Sequence, residues 1–191
     1  MKIRHIFTLL AASAMLTSCG FLDEYNPNSV TAGNYYTSED DIVASLNGVY
    51  TSLTQSYVAN NYHYFTDVRA NTTVVTSSGA NSGIPYQFYN YTLTPENVYV
   101  YNRYTQLYKI ISRANTLFAH LDDVSYASPA ARDTYEAEAR FLRALAYYWL
   151  VTEWGDVPLV LKELESTEEV RANNYRRPKA EIYQAIFDDL K

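Results

Sequence analysis

Residues 138–160 read EARFLRALAYYWLVTEWGDVPLV. Within this stretch apolar side chains wrap almost the whole circumference of a helix, and only Arg140 and Arg143 interrupt them between Phe141 and Val151 or just before it. A helix apolar on most sides has to be covered on several sides. Gly155 ends the pattern, since it can adopt the left-handed conformation a helix end requires, and Pro158 bars the helix from resuming. Upstream, Ser128 stands as a cap with Pro129 at the first helical position. The helix therefore runs from Pro129 to about Gly155, about 39 Å long at roughly 1.5 Å per residue.

The surrounding sequence supplies its neighbours. Tyr101, Tyr104, Tyr108, Ile111, Ala114, Asn115, Phe118 and Leu121 recur at three- and four-residue intervals, which predicts a helix from about Asn97 to Leu121. A short connection makes it an antiparallel hairpin partner of the long helix. An earlier amphipathic helix begins at Ser38, with Glu39, Asp40 and Asp41 in its first turn and Ile42, Leu46, Val49, Tyr50 and Leu53 along one face. After Gly155, DVPLVLKELE predicts a short extended segment. A last helix starts near Pro178, carries Ile182, Tyr183, Ile186, Phe187 and Leu190 on one face, and still has its helical pattern at Lys191. That ending is expected of a truncated product or fragment.

The N-terminus has a different character. Lys2 and Arg4 precede an apolar core from Ile6 to Met15, which is shorter than the roughly 18 residues a membrane span needs. This is the pattern of an export signal. It leads into Leu16-Thr17-Ser18-Cys19, which resembles the bacterial lipobox, where small residues admit the peptidase and the cysteine receives a lipid thioether. Cys19 is the only cysteine in the chain, so it closes no internal disulfide, and a lone thiolate among three scattered histidines makes a poor metal site. The expected organisation is a signal peptide over 1–18, a lipid-anchored tether over 19–37 and a helical domain over 38–191. Two or three acyl chains on Cys19 would hold the protein durably at a membrane.

Composition narrows the function further. A net charge of -6 and the lack of clustered Lys and Arg exclude a nucleic-acid backbone as partner. No phosphate loop, HExxH helix or serine elbow is present, so neither an enzyme nor a cofactor is expected. Paired carboxylates such as Asp122-Asp123 and Glu168-Glu169 read as solvated turns and faces. The chain holds 20 tyrosines against 7 phenylalanines and 2 tryptophans. Most of these rings suit half-buried helix faces, and a few suit contact with sugar rings.

The lipobox cysteine followed by FLDEYNPNSVT, then Tyr108-x-x-Ile111-x-Arg113-Ala114-Asn115, then the opening stretch, then EIYQAIFDDL together resemble the SusD/RagB family in order and spacing. In that family's long motif Glu138, Arg140, Arg143, Gly155, Asp156 and Pro158 correspond to structural positions, and Tyr104 stands where many members carry tryptophan. The resemblance spans nearly the whole chain but only the N-terminal part of a typical member. It implies an all-α scaffold of tetratricopeptide-like helical hairpins with long irregular loops, at most a short β segment and no catalysis. It further implies a lipoprotein of the Bacteroidetes outer membrane, facing the cell exterior. Its partner would be a SusC-like TonB-dependent transporter and its ligand an oligosaccharide, with an oligopeptide or no ligand at all as alternatives.

A ligand site is sought in the region between the first two long helices, about forty residues without strong periodicity. Loops of that length are uncommon unless functional or disordered. Here Tyr62, Tyr64, Tyr86 and Tyr89 offer ring platforms, and Asp67, Arg69 and Gln87 offer planar hydrogen-bonding groups, the two ingredients of sugar recognition. The competing role for each ring is to pin the loop onto the helices.

Overall fold

A computed structural model describes residues 35–76 and 83–191. Cys19, the expected export signal and the expected tether up to residue 34 lie outside the described residues.

Helix α1 spans Glu39–Leu53. The Asp41 carboxylate accepts the Ser38 and Thr37 backbone N–H groups at 2.9 and 3.1 Å, which satisfies donors that a helix start otherwise leaves unpaired. After a single turn, α2 (Tyr86–Tyr89), comes α3, Val98–His120. Asn97 caps α3, its side-chain oxygen accepting the N–H groups of Tyr99 and Val100. Helix α4, Pro129–Trp154, starts and stops where the sequence predicts. Ser128 Oγ accepts the Ala131 N–H at 3.2 Å, and Gly155 closes the helix at φ 75°. Beyond it, β1 (Val157–Pro158) pairs antiparallel with β2 (Arg176–Arg177), with Val157 opposite Arg177. Between the strands lies α5, Thr167–Asn173, and the described chain ends in α6, Lys179–Asp189. Neither α5 nor a partner for β1 was expected from the sequence.

Helix α4 packs against α1, α3 and α6, which accounts for its apolar circumference. Ile42, Leu46 and Val49 of α1 join Leu107, Ile110, Ile111, Ala114 and Leu117 of α3 in one buried cluster. Leu142, Ala146, Tyr147 and Leu150 of α4 and Ile182 and Ile186 of α6 complete it. Full burial of each such aliphatic side chain contributes about 1.5–3 kcal/mol. Phe141 and Tyr148 on α4, and Phe187 on α6, remain about half exposed.

Polar groups fix the elements at set positions on this core. Arg113 donates to the Gly48 carbonyl at 2.6 Å and to Ser52 Oγ at 2.7 Å, tying α3 to α1. The Asn115 amide donates to the carbonyls of Val160 and Lys162, both at 3.0 Å, and so holds the segment after β1. Arg143 is buried and reaches Asp189 with two hydrogen bonds, the Asn115 side-chain oxygen at 2.7 Å and the Leu161 carbonyl at 3.1 Å. Its guanidinium also lies 4.6 Å from the centre of the Phe118 ring. A charge can persist in such a layer only when it is paired and its hydrogen bonds are filled. Arg140 pairs with Glu136 one turn earlier, the spacing that favours an ion pair on a helix. Glu138 accepts the Tyr50 hydroxyl at 2.8 Å, linking α4 to α1. The Asp156 carboxylate accepts the Lys179 N–H at 2.9 Å and so caps α6. The Pro158 carbonyl accepts the Tyr108 hydroxyl at 2.7 Å.

Candidate ligand-binding site

The region between α1 and α3 has its own apolar cluster. Val68, Phe88 and Tyr99 are buried together, with Tyr57, Tyr64, Phe65, Tyr89, Leu93 and Val100 packed around them. Tyr64 meets Tyr99 edge-on at 5.2 Å and lies 5.8 Å from Phe88. Burial, with Tyr99 alongside, pushes the Tyr64 hydroxyl above its usual range. Tyr86 and Tyr89 are half-buried against each other.

This cluster is secured to the helices by Arg103, a residue the sequence did not single out. Its side chain is fully buried and forms a two-bonded pair with Glu153 at 2.7 and 2.6 Å. It also donates to the carbonyls of Tyr57 and Val58. Three rings enclose the guanidinium: Tyr62 at 4.7 Å, Phe65 at 5.0 Å and Trp149 at 5.5 Å. Tyr62 and Tyr64 thus spend their ring faces on internal contacts.

The remaining predicted residues fall differently. A π-helical turn, Tyr64–Val68, leads to Arg69, whose guanidinium forms no hydrogen bond or ion pair among the described residues. Arg69 and Leu93 line two adjoining cavities. One, about 270 Å³, adds Gln87, Phe88 and Tyr91. The other, about 250 Å³, adds Phe65, Val100, Thr152, Glu153 and Trp154. Gln87 is oriented by the Asn97 amide, which donates to its side-chain oxygen at 2.9 Å. The Asp67 carboxylate is exposed, while its main-chain carbonyl accepts the N–H groups of Thr72 and Thr73. Among the described residues the structure therefore brings Arg69 and Gln87 to a common cavity and leaves Tyr62, Tyr64, Asp67, Tyr86 and Tyr89 off its walls.

Tyr91 joins this cavity with a backbone in the left-handed region, φ 59°, as does Asn71 at φ 57°. For a bulky aromatic this conformation is a genuine outlier that costs on the order of 1–3 kcal/mol. The two strained residues are coupled. Asn71 Nδ2 donates to the Tyr91 hydroxyl at 3.0 Å, and that hydroxyl donates to the Arg69 carbonyl at 2.7 Å. Leu93, Val100, Thr152, Glu153 and Trp154 are wall residues that the sequence did not place among its candidates.

The arrangement offers an unpaired cation, a fixed amide and aromatic faces around a half-open space. These groups can bind a polyhydroxylated ring by hydrogen bonds at its edge and apolar contact on its face. Among the described residues no group of three His, Cys, Asp or Glu side chains converges as a metal site requires. No described helix is long and apolar enough to cross a membrane.

Residues 20–191 match a family model described as "Starch-binding associating with outer membrane". The chain belongs to the SusD-like family. Among curated SusD-like relatives, SusD-like protein P2 of Formosa agariphila is 29% identical over 196 residues, covering 100% of this chain and 36% of the relative. SusD-like protein P38 of the same organism is 27% identical, covering 97% of this chain and 35% of the relative. Among solved structures, a laminarin-binding SusD-like protein superposes with a TM-score of 0.66 at 27% identity, covering 81% of this chain and 33% of that one. NanU of B. fragilis superposes with a TM-score of 0.67 at 24% identity, covering 86% of this chain and 32% of that one. This SusD-like chain thus spans about a third of the length of these relatives, and the all-α hairpin scaffold expected from the sequence is the fold it shares with the solved ones.

Proposed function

We propose that this SusD-like chain captures oligosaccharides, without chemical conversion, at the double cavity around Arg69, and hands them to a SusC-like TonB-dependent transporter. The observation that carries the reading is the unpaired Arg69 guanidinium facing Gln87 and the strained Tyr91 in an aromatic-walled space. The family's description and the laminarin-binding neighbour support carbohydrate as the ligand class. In this reading Cys19 carries the lipid that keeps the protein on the outer membrane, and the helical body faces the cell exterior.

Calorimetric titration with laminari- and malto-oligosaccharides tests the ligand. Loss of the Arg69 hydrogen bonds in Arg69→Ala costs about 1.5–3 kcal/mol, or roughly ten- to a hundredfold in affinity. Sugar binding that is unchanged in this variant overturns the Arg69 site, and binding of peptides alone overturns the glycan assignment. The anchor is tested separately by labelling cells with an alkynyl fatty acid: the wild type takes up the label and Cys19→Ala does not.

A further inference from the structure

A cavity of about 400 Å³ lies between α3 and the segment running from β1 through α5. It shares no wall residue with the two cavities around Arg69. On the α3 side its floor is formed by Tyr104 and Tyr108, whose ring centres are 4.9 Å apart, with Ile111 and Ser112 continuing the stripe. The opposite wall carries Val160, Leu164 and Val170 and ends in Asn173 and Asn174.

The polar groups in this wall divide into two sets. The one lysine is committed within the protein, its Nζ 2.6 Å from Glu169, and Glu163, an anion, accepts the Thr116 hydroxyl at 2.7 Å. The Asn115 amide is likewise committed to the Val160 and Lys162 carbonyls. By contrast, the Ser112 hydroxyl and the Asn174 side-chain amide make no hydrogen bond among the described residues, and Asn173 uses only its N–H, on the Glu169 carbonyl. The free donors are thus all uncharged.

This division selects the ligand. An anion would find no uncommitted cation in the cleft, and its desolvation would go uncompensated. A hydrocarbon would cover Ser112 and Asn174 without partnering them, which is unfavourable for each. A neutral sugar satisfies both conditions, placing its apolar C–H face on the tyrosine rings and its hydroxyls on the hydroxyl and amides. The volume lies within the range of ordinary small-ligand pockets, roughly 300–1,000 Å³, and suits a mono- or disaccharide. We infer that the cleft between α3 and α5 is a second carbohydrate site, selective for uncharged over anionic sugars and independent of the Arg69 site. The choice of sugar as ligand class rests in part on the glycan-binding reading above, whereas the cleft and its paired charges do not.

The experiment is titration of the ¹⁵N-labelled full chain with laminaribiose, maltose and cellobiose, and with glucose 6-phosphate as charged control, followed by amide chemical shifts. At millimolar sugar the neutral disaccharides, unlike the phosphate, shift Ser112, Asn173 and Asn174 in a saturable way. Ser112→Trp, an exposed helix position whose indole would fill the cleft, abolishes these shifts. Asn174→Leu weakens them several-fold, and the circular dichroism of both variants stays that of the wild type. Shifts confined to Arg69, Gln87 and Tyr91 leave the proposed function standing and overturn this inference. Shifts confined to the cleft do the reverse, and no shift at either place sinks both. Cleft shifts that persist in Ser112→Trp, or that glucose 6-phosphate reproduces, also overturn it.

Discussion

The guanidinium of Arg143 and the carboxylate of Asp189 face each other through two hydrogen bonds, Nε to Oδ2 at 2.8 Å and Nη2 to Oδ1 at 2.6 Å. Their side chains are only 7% and 3% exposed, so each is the other's counter-charge in a layer that excludes water. The pair joins α4 to α6, and through Asn115 the same guanidinium is linked to α3 and to the segment after β1.

Removing one partner strands the other. Asp189→Ala is expected to destabilise the chain by about 3–5 kcal/mol. Arg143→Met with Asp189→Leu costs less than Asp189→Ala alone, because no unpaired charge remains. Urea denaturation of the single and double variants measures both values, and equal costs would refute the argument.

Arg103→Lys is not conservative here. An ammonium cannot reproduce the two-bonded fork to Glu153 while still donating to Tyr57 and Val58. The loss is about 1.5–3 kcal/mol for the charge-assisted bonds. Because Trp149 lies over the guanidinium, its fluorescence reports the change alongside the thermal midpoint.

Gly155 sits at φ 75°, with nothing within 4 Å of where a Cβ would lie. Gly155→Ala therefore meets no clash, and its cost is the conformational strain alone, on the order of 1–3 kcal/mol. Chemical denaturation checks this, and a neutral result would mean the chain reverses equally well through another conformation.

Acid should loosen the helical body. Burial of Glu136 raises its carboxyl, but hydrogen bonds from Arg140 and Arg132 outweigh that and hold it below the ordinary glutamate value of 4.5. Glu39 is lowered by the Ala127 N–H and then by Tyr135, and Asp41 by the Ser38 hydroxyl and then by Thr37. A carboxyl lowered by folding contributes stability that is fully present above its unfolded value and is lost as pH falls through its folded one. The urea midpoint is thus expected to stay level from about pH 7 to about pH 5 and to fall below the ordinary carboxylate range. In Glu136→Gln the share owed to Glu136 no longer depends on pH.

The parts of the fold that could be read directly are those marked by local chemistry. Ser128 and Pro129 start α4 and Gly155 stops it, and each acts within its own turn, so no tertiary knowledge is needed. Helix α5 escaped notice because its seven residues bury nothing and so carry no apolar rhythm. Its marks were the Ser166 cap and the Glu169 three residues later, whose N–H the Ser166 hydroxyl accepts. Strand β2 is two arginines, a pair that reads as solvated until β1 is placed beside it. Arg103 was hidden for a different reason. A charge within an apolar helix stripe reads as the exposed edge of that stripe, and its partner Glu153 is 50 residues away. Of the candidate site, the loop and its residues Arg69 and Gln87 were named from the sequence. The division of the rings between wall and packing depends on which faces Arg103 and the Phe88 cluster claim, and that is a property of the assembled fold.

The cage around Arg103 has a consequence for how quickly a guest can be taken in. The strand of chain that presents Arg69 hangs from a charge wedged between α3 and α4, so its shape is set before any encounter. Under the proposed function, a sugar arriving there would spend little of its interaction energy on ordering the receptor, and capture would proceed at the pace of diffusion and alignment rather than that of a loop searching for its closed form.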